Sequence, residues 1–112
     1  MKMNEQELNK KLAEWAGFKN PRFEEEGIIF TGAINGQVWG NLYVDLFTQS
    51  LDACFKWLVP KAELDEIRVW KTGAGWGADI MPRTLTTPIV NNYGETPALA
   101  LCLAINKMIE NE

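Results

Sequence analysis

Apolar positions change period several times along the chain, and each change marks an element. Leu8, Leu12, Trp15 and Ala16 fall at i, i+4, i+7 and i+8, which predicts one buried stripe of a helix. Asn4 and Glu7 ahead of it have capping-box spacing, in which each side chain satisfies the other's free amide. Gly17 supplies a left-handed stop, and Pro21 prevents the helix from resuming. From Gly27 the pattern turns β-like. Ile28 to Thr31 and Val38 to Tyr43 read as two strands about Asn35-Gly36, whose residues both accept the positive φ of a tight hairpin turn. Gly32 and Gly40 flank that turn at offsets that let them oppose each other, marking a bulge or a close approach.

Ser50 then caps a short helix with an inner stripe of Leu51, Cys54, Phe55 and Leu58, and Pro60 is expected to end it. Ile67 to Trp70 alternates as a half-buried strand, and Thr72 to Gly75 turns the chain into a second arm, Trp76 to Met81. Residues 82–94 hold two prolines and no clear period, so a long connection is expected, with a short edge segment at Ile89-Val90. Thr96-Pro97 opens the last helix as cap and first position. The run from Ala98 to Ile105 is apolar on every side, the mark of a central helix. The order αββαββα predicts an α+β domain over 1–112, an antiparallel sheet of about four strands between helical layers, an α/β/α sandwich.

Composition narrows the chemistry. The chain has 112 residues, room for one core only. Its net charge is −4, and the eight lysines and three arginines are scattered, so binding to duplex nucleic acid is not expected. There is no histidine, which removes the usual general base near neutral pH and the usual zinc ligand. The one serine is better used as a cap, and Cys54 and Cys102 read as packed, reduced thiols. The aspartates Asp45, Asp52, Asp65 and Asp79 show no spacing that pairs two of them. No catalysis, cofactor or metal is therefore expected. The opening residues carry no apolar signal region and no run is long enough to span a membrane, so a cytoplasmic protein is expected.

Two features could still hold a ligand. Lys71-Thr72-Gly73-Ala74-Gly75-Trp76-Gly77 is glycine-rich enough to cradle an anion, yet it matches neither the Walker nor the Rossmann pattern and reads first as a hairpin turn. Five tryptophans is a high density for this length. Trp15 and Trp57 read as core, while Trp39 and Trp76 stand beside glycines that could leave a ring open to a planar ligand or a partner. Lys71, Trp76, Arg83 and Tyr93 are the candidate binding set. They converge if the connection folds back over the hairpin, and otherwise do not.

Three segments also carry a resemblance. Leu8-x3-Leu12-Ala13-x-Trp15-x-Gly17, Ser50-Leu51-Asp52-Ala53-Cys54-Phe55 and Glu95-Thr96-Pro97-Ala98-Leu99-Ala100-Leu101-Cys102-Leu103-Ala104 look like the phage ABA-sandwich domain family, small proteins of phages and prophages of Gram-positive bacteria. The similarity spans about residues 7 to 109. It implies a sheet between helical layers and, with no known activity or site in the family, transfers no functional residue. Two functions follow as expectations: an accessory protein that binds a host or phage protein, or a small-ligand binder such as a sponge for a nucleotide signal of bacterial defence. Self-association is expected as well, because a small domain with many aromatics leaves apolar area for a second copy to cover.

Overall fold

In the computed structural model, which describes residues 5–24, 27–34, 37–83 and 86–110 (backbone alone at 19–20, 30–34, 37–42 and 92), the first apolar stripe forms α1 (Glu5–Trp15). Gly17 ends it at φ +92°, a conformation that costs a residue with a Cβ about 1–2 kcal/mol. The Gly17 N–H donates to the Glu14 carbonyl at 3.1 Å and the Phe18 N–H to that of Ala13 at 3.0 Å, which closes the helix end. Asn4 of the expected capping box lies outside the described residues.

The chain then forms β1 (Lys19–Phe23), a strand that the sequence pattern did not announce. Pro21 fits there because β1 is an edge whose register is broken between Lys19 and Arg22, so its missing N–H interrupts no central ladder. β2 (Gly27–Ile34) and β3 (Gln37–Asp45) pair antiparallel as expected, with Ile34 facing Gln37, while Asn35-Gly36 of the expected turn lies outside the described residues. The register shifts between Thr31 and Ala33, so Gly32 faces both Trp39 and Gly40, and the bulge falls at the glycines.

After a 3-10 turn (Phe47–Gln49), the Ser50 hydroxyl accepts the Ala53 N–H at 3.1 Å and opens α2 (Leu51–Ala53). Here the expected stop at Pro60 fails. A π-helical turn (Cys54–Leu58) leads directly into α3 (Val59–Ala62), and Val59 keeps a helical φ of −62° and ψ of −46°. The physical reason is the wider turn. The Val59 N–H reaches back to the Cys54 carbonyl, five residues earlier, so the proline ring meets a loosened ladder rather than a tight one. Glu63, left-handed at φ +51°, is where the helical run stops.

β4 (Leu64–Lys71) and β5 (Trp76–Pro82) form the second hairpin. The long irregular connection expected for 82–94 is shorter than that, because its second half is β6 (Ile89–Gly94), paired antiparallel with β5. The α+β class with antiparallel strands is as expected, but among the described residues the strands form two three-stranded sheets, β1-β2-β3 and β4-β5-β6, rather than about four strands in one.

The last helix, α4 (Pro97–Glu110), is the centre of the core. The Thr96 hydroxyl caps it by accepting the Leu99 N–H at 3.0 Å. Ala100, Leu101, Cys102, Ala104 and Ile105 have no exposed surface, and α4 touches β4, β5, β6, α1, the π turn and the 3-10 turn. Ile28 and Val44 of the first sheet join the same core. A polar chain, buried at Asn9 and Thr48, ties three of these pieces together. The Asn9 amide donates to the Thr48 hydroxyl at 3.0 Å and accepts the Thr48 N–H at 3.3 Å, while the Thr96 hydroxyl donates to the Thr48 carbonyl at 3.1 Å. Among the described residues no helix is long and apolar enough to cross a membrane.

Candidate functional site

The β4–β5 hairpin decides where the candidate residues stand. Lys71 and Trp76 are the last cross-strand pair before the turn, and the Lys71 Nζ sits 5.2 Å from the Trp76 ring centroid, in cation–π range. Trp76 is half-buried and packs against the core, so its ring is less open than its glycine neighbours suggest. The Trp70 indole takes up the space that Gly77 leaves. A Cβ on Gly77 would fall 2.5 Å from Trp70 Cε2.

Tyr93 reaches this end of the sheet through β6. Trp76 pairs with Gly94, and the next register pair is Ala78 with Asn91, so Gly77 faces both Asn92 and Tyr93 across a bulge. The Asn91 amide fills the gap by donating to the Tyr93 carbonyl at 2.7 Å, and it reaches the Ala100 carbonyl of α4 at 3.4 Å. Asn91 is thus a positioning residue for Tyr93 that the sequence reading missed, since a lone asparagine in a weakly periodic stretch gives no signal. The Tyr93 ring lies beside the turn, where a Cβ on Gly75 would come within 3.2 Å of Cε2, and the residue is 50% exposed.

Arg83 does not join them. It follows β5 at the end opposite the hairpin, where its Nε lies 3.2 Å from Asp65 Oδ1 and its N–H donates to the Glu63 carbonyl at 3.1 Å. The connection does fold back, but as a strand antiparallel to β5, which returns Tyr93 to the hairpin and leaves Arg83 behind.

The glycine-rich loop is built as a turn. The Thr72 hydroxyl accepts the N–H groups of Gly75 at 2.9 Å and Ala74 at 3.3 Å, and the Thr72 N–H donates to the Gly75 carbonyl at 2.8 Å. Two amides that an anion would need are already engaged. The hollow between Glu66, Arg68, Asp79 and Met81 has about 150 Å³, below the roughly 300–1,000 Å³ of ordinary ligand clefts.

Trp15, Trp57, Ser50 and both cysteines have structural places. Trp15 and Trp57 pack half-buried on the core, and Trp57 meets Phe18 edge-on at 5.3 Å. The Trp39 side chain lies outside the description. Ser50 caps α2, and both thiols are sealed in the core. Among the described residues no group of three or more acidic or cysteine side chains could hold a metal ion.

The fold and its hairpin end define an α+β domain of two antiparallel three-stranded sheets about a central helix, with a mixed aromatic and basic patch at one sheet end. No protein-family model matches the chain, and no curated protein matches it in sequence. Among solved structures it is similar to a phage protein from Bacillus cereus ATCC 14579, a crystal structure at 2.0 Å. The TM-score is 0.63 at 18% identity, over 98% of this chain and 91% of that one. At that identity the likeness is one of fold.

Proposed function

We propose that this is a non-enzymatic phage or prophage accessory protein, acting in the host cytosol by binding a host or phage protein. Phage origin is supported by the phage protein of similar fold and by the motif resemblance to the phage ABA-sandwich family. The absence of histidine from the sequence and the structural uses of Ser50 and both cysteines support a role without catalysis. One observation carries the binding role. Tyr93, half-exposed, stands at the same sheet end as the Lys71–Trp76 pair, on strands fixed to the central helix. Amphipathic aromatics with a cation on a rigid support are what protein interfaces use as anchors.

The alternative, a small nucleotide-like ligand, rests on the same cation–aromatic pair. It is the weaker reading, because Thr72 occupies the loop amides and Arg83 stands elsewhere.

The test places a photo-crosslinking residue at Tyr93, and separately at exposed Glu14 on α1, in cells carrying the phage. A discrete protein adduct from position 93 that is missing from position 14 supports the reading. No adduct, or the same adducts from both positions, contradicts it. Titration of cyclic and linear nucleotides against tryptophan fluorescence separates the alternative, which requires a response that Trp76→Ala abolishes.

A further inference from the structure

β4 is an edge strand, with no neighbour on its far side among the described residues. The bond from the Thr72 N–H to the Gly75 carbonyl fixes the hairpin's alternation. Counting back from it, Lys71, Val69 and Ile67 turn their backbone N–H and C=O groups away from β5, towards the open edge. The apolar cover is incomplete there too. Ile67 and Val69 belong to the core face yet are only half-buried, whereas their partners on β5, Ile80 and Ala78, have no exposed surface. An open ladder beside uncovered aliphatic surface is a strand-pairing template.

We propose that two copies of this chain pair antiparallel along β4, with Ile67 facing Ile67 of the second copy. A two-fold axis normal to the sheet keeps each side chain on its own face, so only registers centred on a single residue are allowed. Centred on Arg68 the pairing opposes two arginines, and centred on Glu66 it opposes two glutamates. Centred on Ile67 it sets Glu66 against Arg68 of the second copy, twice by symmetry. Both side chains are exposed, and within one copy Arg68 lies 3.2 Å from Glu66 and 3.5 Å from Asp79, so the pairing exchanges the first of these contacts for Glu66 of the second copy and leaves Asp79 in place. Like charges directly opposite destabilise a pair and unlike charges stabilise it, so of these three registers the charges favour the one centred on Ile67. The result is a continuous six-stranded sheet, in which the half-buried Ile67 lies against Ile67 of the second copy. This pairing is independent of the hairpin-end patch and stands whether or not that patch binds another protein.

Sedimentation equilibrium tests it on the whole chain. Wild type is expected to dimerise, and Glu66→Arg or Arg68→Glu alone to raise the dimer dissociation constant at least about tenfold. A 1:1 mixture of the two variants should recover association, because each then presents the charges that the other lacks. A wild type that stays monomeric up to about 1 mM, single variants that dimerise like wild type, or a mixture as weak as its components would overturn the pairing. Amide exchange on wild type needs no variant to fold. The Ile67 and Val69 N–H groups must exchange more slowly at high protein concentration, and concentration-independent exchange would overturn the proposal.

Discussion

The Sγ atoms of Cys54 and Cys102 lie 3.5 Å apart in the core, joining the segmented helix to α4. Cys54 also places its sulfur 3.1 Å from the Phe47 carbonyl as a donor. Burial, and then the hydrogen bond to Cys54, push the Cys102 thiol well above its ordinary value of about 9.0. The native thiol therefore stays protonated where the unfolded one ionises. Its contribution to stability is fully present below that ordinary value and is lost as pH rises from there through the native value. Wild-type melting temperature should accordingly fall above about pH 9, and Cys102→Ala should flatten that fall. An identical pH slope in the variant would contradict the assignment.

Leu101 faces the core from the middle of α4 without exposed surface. Leu101→Ala should cost about 2–5 kcal/mol through lost burial and a residual cavity. Urea denaturation giving a loss below about 1 kcal/mol would show that α4 is not the central element.

Asn9 holds the hydroxyl and the N–H of Thr48, on a helix face otherwise filled by Leu8, Leu12 and Ala13. Asn9→Leu removes the partner of a buried hydroxyl and a buried amide at once, and an expected loss of about 1–3 kcal/mol follows from their desolvation. Thermal denaturation reads it directly. An unchanged melting temperature would mean that Thr48 finds other partners.

Gly77 lies under the Trp70 indole. Gly77→Ala should displace that ring, at a cost of about 1–3 kcal/mol, with a shift in tryptophan emission. The emission separates this effect from a general backbone penalty, since a strand substitution that left Trp70 in place would change stability alone.

Much of the fold was legible in the sequence because local grammar and tertiary demand agree. The stripe at Leu8–Ala16, the caps at Ser50 and Thr96 and the stop at Gly17 each serve the helix they announce. Of the inner stripe Leu51, Cys54, Phe55 and Leu58, by contrast, the structure exposes Phe55, because the π turn over Cys54–Leu58 changes the helical period. The misreadings fall where context outweighs local preference. β1 contains Pro21, tolerable only because the strand is an irregular edge. The π turn carries the helix through Pro60, and no residue pattern marks a π turn. β6 contains Asn91 and Asn92, poor strand formers locally, yet Asn91 is spent on the bulge and on α4. The candidate site divides in the same way. Lys71 and Trp76 are joined by a hairpin that the sequence shows, whereas Tyr93 and Arg83 were sorted to opposite ends by the direction of β6, which no local signal encodes.

The central claim is that a protein partner docks at the hairpin end. Its most direct measurement is calorimetric titration of the partner recovered through position 93, against wild type and Tyr93→Ala. Tyr93 is exposed, so its removal should leave the melting temperature within a few degrees of wild type. The account predicts a dissociation constant raised at least about tenfold, as for an aromatic anchor. An unchanged dissociation constant in a folded Tyr93→Ala protein would contradict it.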